Sequence, residues 1–337
     1  MNVLGVDVGG ANLKAADGQG KAVSLPFELW RQPRDLPHAL TDLAKSFPTP
    51  DRVAITMTAE LADCFRTKEE GVACVLDACR EAFAGNAMLV YLTDGRFVSP
   101  EEAQRDPWSA AASNWRALAA FAGRCVPGGV GMLIDLGSTT CDLIPLIDGV
   151  PFPLGLTDPD RLASGSLVYA GAGRTPVCSL VSSLPWRDRS RGIARELFAT
   201  AQDVYVTLGD LPENFDDCST ADGRPATREF ARDRLARCVC ADRSVFSDAD
   251  AMIAARAVES AQLQLMRAAW EQTTSQLASP PSGVVTSGVG EFLVKRLLES
   301  MRAPVNVISL AEESAMVSGC APAHAVAVLA REQENPS

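Results

Sequence analysis

Two short stretches combine residue types that can do phosphate chemistry. In the first, Val3–Lys14, an apolar run ends in Asp7, turns through Gly9 and Gly10, and resumes in a second run that carries Lys14. In the second, Leu133–Leu143, β-branched and apolar residues lead to Asp135, a Gly137-Ser138-Thr139-Thr140 turn and a returning run from Cys141. Each reads as strand, tight turn and antiparallel strand. Turns without bulky side chains let backbone N–H groups approach an anion closely. An acid at the strand end can hold a divalent cation such as Mg²⁺ that neutralises the anion. Two copies of one design in one chain suggest an internal duplication and a phosphate-clamping cleft between related domains. A third stretch, Gly283–Leu298, runs from a strand through Ser287-Gly288-Val289-Gly290 straight into a helix. Gly288 and Gly290 there would admit a flat ligand or a phosphate to the helix N-terminus.

Composition limits what such a cleft can serve. The chain has 337 residues, 47% of them hydrophobic, which is enough for two cores. A net charge of −11 argues against a nucleic-acid or anionic-membrane surface, so a phosphate ligand must be held locally. No apolar run approaches the roughly 18 residues that span a bilayer, and the first residues lack a basic leader, so a cytoplasmic protein is expected. The ten cysteines are dispersed and form no Cys-x-x-Cys pair, which reads as reduced thiols. With two histidines, His38 and His324, neither beside a cluster of ligands, a zinc site finds no support.

The elements that must position these turns follow from periodicity. Strands are expected at Val3–Val8, Leu13–Ala16, Ala22–Leu29, Arg52–Thr56 and Met88–Thr93, with helices at Pro37–Phe47, Lys68–Phe83 and Asp106–Gly123. Pro127-Gly128-Gly129 marks a boundary, giving domains 1–126 and 127–337. Residues 156–225, rich in Gly, Pro, Ser and Arg, read as an irregular insertion, either a cap on the cleft or a solvated excursion, with a helical piece at Ile193–Ala199 and a strand at Asp203–Thr207. Helices return at Thr227–Cys240 and Ser247–Gln276. A strand at Val305–Ser309 and a helix at Glu312–Arg331 close the chain. Strands first, then strand and helix in alternation, build a mixed sheet with helices on its faces.

The two Asp-Gly hairpins and the Ser287–Gly290 turn, in this order, resemble the two phosphate motifs and the adenosine motif of the actin/sugar kinase/Hsp70 superfamily. That resemblance implies an α/β fold of two duplicated ribonuclease-H-like, actin-like ATPase domains, each a mixed five-stranded sheet flanked by helices, facing each other across a cleft. More narrowly, Gly5–Ala16, Met57–Phe65, Thr93–Pro100, Gly165–Tyr169 and Glu196–Asp210 are similar to the hydantoinase/oxoprolinase-related proteins of the tetrahydromethanopterin-linked one-carbon pathway, a likeness that covers nearly the whole chain. Archaeal members of that family are assigned to methanofuran synthesis. They join an aminomethylfuran-methyl diphosphate to the phenol oxygen of γ-glutamyltyramine and release pyrophosphate.

What the resemblance implies can be placed residue by residue. Asp7 and Asp135 would ligate Mg²⁺, and Lys14 would reach a phosphate oxygen. Gly9, Gly10, Gly137, Ser138, Thr139 and Thr140 would line the diphosphate, with Gly288 and Gly290 at the third turn; whether ATP binds there stays open. Asp94 and Glu60 are the first candidates for the base that takes the phenol proton, followed by Asp63. The partners would be a small-molecule diphosphate and a phenolic amine, and a homodimer is an option. A small-molecule or sugar kinase with Asp94 as its base, and a non-enzymatic actin-type nucleotide-binding module, fit the same hairpins.

Overall fold

The computed structural model describes residues 2–313 and 319–333. Its first sheet contains β1 (Val3–Val8), β2 (Asn12–Ala16), β3 (Ala22–Pro26), β4 (Arg52–Met57), β5 (Ala87–Tyr91) and β6 (Phe97–Val98), in the order β3-β2-β1-β4-β5-β6. Strands β1 to β3 are antiparallel neighbours, whereas β4 and β5 run parallel to β1. The second sheet contains β7 (Val130–Leu136), β8 (Cys141–Ile147), β9 (Val150–Pro151), β10 (Leu167–Val168), β13 (Gly283–Ser287) and β14 (Asn306–Ser309), in the order β10-β8-β7-β13-β14, with β9 added to β8. The five main strands of each sheet have the same order and the same directions, which is the duplication expected. Each sheet then gains a two-residue strand beyond the five.

Side-chain alternation shows how the sheets are stacked. On the first sheet Leu4, Val6, Val8, Val53 and Ile55 bury against the helices Leu36–Ala44 and Lys68–Ala82. On the second, Met132, Ile134, Leu136 and Val284 face the helices Ala201–Leu208, Arg228–Cys238, Asp248–Thr274 and Glu291–Met301. The opposite faces share a single core. Val3 and Ala54 from one sheet and Leu133, Ile144 and Val285 from the other meet around the helices Asn114–Ala122 and Ala321–Glu332. The layers are therefore helix, sheet, helix, sheet, helix, and the central helix pair belongs to both halves.

Small residues make that central layer possible. A Cβ on Gly5 would lie 2.0 Å from the Ala323 carbonyl oxygen, so only glycine lets the last helix rest on β1. Domain limits drawn by chain order do not follow this packing, because Ala321–Glu332 docks on the first sheet.

Several local expectations need correction. The helix expected over Asp106–Gly123 is broken, because Ala112 takes a left-handed φ of 49° between Pro107–Ala110 and Asn114–Ala122. Residues 193–199 are not helical. Asp203–Thr207 is helix rather than strand, since Thr200 and Asp203 form a capping box that starts Ala201–Leu208. Residues 156–225 are not an appendage either, because β10 completes the second sheet and the rest supplies the helix Asp158–Ser164 and a hairpin of β11 (Ser183–Trp186) and β12 (Arg189–Gly192). Of the expected closing helix over Glu312–Arg331, positions 314–318 lie outside the described residues. All ten cysteines are free thiols.

Candidate active site

The alternation that builds the central layer also aims the two acids. Asp7 has the parity of Val3 and Gly5, and Asp135 that of Leu133, so both project from strand C-termini toward the space between the sheets. The hairpins that present them close identically. The Gly9 N–H donates to the Asn12 carbonyl at 3.0 Å, and the Gly137 N–H donates to the Thr140 carbonyl at 2.9 Å. This corrects the expectation for Gly9 and Gly137, whose amides close the turns and are not free for a phosphate. Among the described residues, no hydrogen bond takes the amides of Gly10, Ala11, Ser138 or Thr139. A Cβ on Gly10 would meet nothing within 4 Å.

Each turn is braced from behind. The Leu29 N–H donates to Gly10 O and the Phe27 N–H to Ala11 O, both at 3.0 Å. At the other turn, Ala172 donates to Gly137 O at 2.9 Å, while Gly173 and Arg174 donate to Ser138 O at 3.0 and 2.7 Å. Gly171 stands so close that its Cβ would lie 2.4 Å from the Thr139 nitrogen.

Hairpin register decides what faces each acid. Asp7 pairs with Lys14 across β1 and β2, and Asp135 pairs with Asp142 across β7 and β8. Asp7 is buried and accepts a hydrogen bond from Thr56 Oγ1 at 3.2 Å. Burial raises its carboxyl above the usual range, with Lys14 and Thr56 opposing. Asp135 is pushed up to about 7, first by burial and then by Asp142, against the pull of Ser287 and Lys14, and Asp7 adds to the rise. Lys14 thus acts on both acids, and Asp135 senses Asp7 across the two halves.

Asp7 and Asp135 are the residues that could hold a magnesium ion. Two desolvated carboxylates gain from a cation between them, and Mg²⁺ is held by one or two carboxylates while water and phosphate oxygens complete its shell. Among the described residues no group of three or more His, Cys, Asp or Glu could hold a metal ion, so a cage made only of protein is not what this site offers. Asp142 is held by Arg161, which is buried and lies 4.3 Å over the Trp115 ring. Arg161 also reaches Asp158 at 3.2 Å.

The base candidates separate clearly. Glu60, in the loop after β4, is 1% exposed, its Oε2 atom has no hydrogen-bond partner, and burial pushes it up to about 7. Lys68 stands 3.8 Å from Glu60 Oε1 and 3.8 Å from Asp158 Oδ2, so one ammonium links the two halves. The same ammonium lies 5.3 Å over the Trp108 ring. Asp94 instead spends both oxygens on its own turn, accepting from the Arg96 N–H at 3.0 Å and from Arg96 Nε at 2.7 Å. Asp63 is exposed. Geometry therefore favours Glu60 over Asp94 and Asp63.

The third turn is docked on the second hairpin. Gly290 N–H donates to Leu136 O at 2.9 Å. A Cβ on Gly290 would fall 1.5 Å from Leu136 Cδ2, and one on Gly288, at φ +91°, 2.3 Å from Leu136 O. Packing against β7 accounts for both glycines. Residues that sequence reasoning missed are Lys68, Asp142, Asp158, Arg161 and Arg174. Asp142 was within reach, because counting outward from the turn places it opposite Asp135; Lys68 and Arg161 gave no local signal.

The strand order repeated in the two sheets defines a fold of two ribonuclease-H-like halves. The chain belongs to the hydantoinase/oxoprolinase family, whose profile matches residues 51–333. It is 34% identical over 336 residues, 98% of both chains, to the (4-{4-[2-(γ-L-glutamylamino)ethyl]phenoxymethyl}furan-2-yl)methanamine synthase of Methanocaldococcus jannaschii. A protein of the same name from Methanococcus vannielii is 28% identical over 207 residues, 60% of this chain and 92% of that one. Among solved structures, the inorganic polyphosphate/ATP-glucomannokinase of Arthrobacter sp. strain KM aligns over 98% of this chain and 99% of its own, at 11% identity and a TM-score of 0.47.

Proposed function

We propose that this chain is an aryl-ether-forming transferase that joins an aminomethylfuran-methyl diphosphate to the phenol oxygen of γ-glutamyltyramine or a related tyramine. The observation that carries the reading is the 34% identity to a synthase whose name is that of such an ether, extending over 98% of both chains. The site is suited to the reaction. The phenol oxygen attacks the furan methylene carbon, the bond from that carbon to the diphosphate oxygen breaks, and the electron pair leaves with pyrophosphate. The furan ring stabilises positive charge on that carbon, which leaves the protein two tasks: to receive the charge on the leaving group and to take the phenol proton.

The free amides of Gly10, Ala11, Ser138 and Thr139, together with Lys14, receive the diphosphate from two sides. A Mg²⁺ held by Asp7 and Asp135 would neutralise the charge that develops on the departing oxygen. Glu60, held near neutrality by burial, accepts the proton of a phenol whose own pKa is about 10. Lys68 positions the Glu60 carboxylate and offsets its charge. Incubation with the furan diphosphate, γ-glutamyltyramine and Mg²⁺, followed by mass spectrometry, should give the ether and one pyrophosphate per ether. Absence of both products, or transfer of a phosphoryl group from ATP to a hydroxyl acceptor instead, would overturn the reading.

A further inference from the structure

The mouth of the cleft carries a cation that the machinery above does not use. Arg174 follows the Gly171–Gly173 brace, and its own N–H is bonded to Ser138 O at 2.7 Å, which fixes its backbone at the tip of the second hairpin. Trp30 follows Leu29, whose N–H is bonded to Gly10 O at 3.0 Å, which fixes it at the tip of the first. The Arg174 guanidinium reaches across and lies 5.7 Å over the Trp30 ring. Arg161, Arg224, Arg234 and Arg296 all have carboxylate partners. Arg174 has no ion pair among the described residues, although the chain carries a net charge of −11. A planar cation that rests on an indole, beside four free turn amides, is a donor kept available.

The geometry points to Arg174 as an oxyanion-binding, specificity-determining residue of the cleft. Trp30 is the surface on which its guanidinium rests until a substrate oxyanion draws it inward. This rests on the proposed reaction, whose substrates offer that chemistry in two places: the terminal phosphate of the diphosphate and the carboxylate of the γ-glutamyl group. Both suit the paired N–H fork of arginine.

The test uses Arg174→Ala and Arg174→Lys in the full chain, with titration calorimetry against Mg²⁺-pyrophosphate and, separately, against γ-glutamyltyramine and tyramine. Because Arg174 is exposed, the melting temperature should not move. If the phosphate is the target, Arg174→Ala weakens pyrophosphate binding about tenfold or more, the size of a lost charge-assisted contact, and Arg174→Lys restores part of it. If the carboxylate is the target, pyrophosphate binding is unchanged and the preference for γ-glutamyltyramine over tyramine falls by a similar factor. Neither affinity moving in Arg174→Ala would overturn the inference. Binding is measured without turnover, so a chain that binds pyrophosphate through Arg174 and makes no ether would sink the proposed reaction alone.

Discussion

Glu60→Gln separates a functional acid from a structural one, because its effects on stability and on activity should have opposite signs. Glu60 is 1% exposed, and burial raises its carboxyl from the ordinary 4.5 to about 7. In the unfolded chain it ionises near 4.5, so between these values the folded state binds the extra proton and stability falls as pH rises. Above pH 7 the full difference is present, worth about 3 kcal/mol at 1.36 kcal/mol for each pH unit. Glutamine keeps the shape and removes the charge, while Lys68 keeps Asp158 as its partner. The variant should therefore match the parent at pH 5 and melt higher at pH 8.5, by about 5 °C on the scale usual for chains of this size. Its turnover should fall by about 100-fold or more, the loss expected for a general base. Thermal melts at the two pH values, read beside ether formation, test both parts. An equal shift at both pH values would refute the burial argument, and retained turnover would refute the assignment of the base.

Other perturbations test the rest of the site. Asp7→Asn and Asp135→Asn should each lower turnover by about 100-fold and weaken Mg²⁺-dependent pyrophosphate binding, which calorimetry would show; full activity in either would count against the shared cation. Lys68→Met removes the cation that lowers the Glu60 carboxyl, so the rising limb of the pH–rate profile should move to higher pH. Gly5→Ala should destabilise by about 1–3 kcal/mol or more, because its Cβ would sit 2.0 Å from the Ala323 carbonyl. Gly10→Ala should leave the melting temperature within the small effect of a surface change, about 0.5 kcal/mol, while raising the KM for the diphosphate that must approach that turn.

The hairpins were legible because everything that makes them is local: a β-branched approach, an acid, a short turn and a return. Periodicity likewise placed Lys68–Ala82 and Asp248–Thr274 to within a few residues. Local signals failed where two of them competed. Asp203–Thr207 has strand-like composition, and the Thr200–Asp203 capping box outweighs it. The Ala-rich run after Asp106 reads as one helix, and the left-handed Ala112 divides it. Gly288 and Gly290 read as a nucleotide turn, yet the contacts that exclude a side chain there come from Leu136, about 150 positions earlier, a separation that no local pattern can register.

By itself the sequence determined two acidic strand ends, each followed by a turn bare enough to admit an anion. Which carboxylate is shielded from water beside a cation was decided only by the fold. A pKa near 7 depends on how far a group is removed from water and on which charges stand beside it, and both are properties of packed neighbours. Glu60 and Asp94 each follow a strand in the same half of the chain. Packing buries one beside an ammonium shared between the domains and leaves the other bonded to the arginine of its own turn.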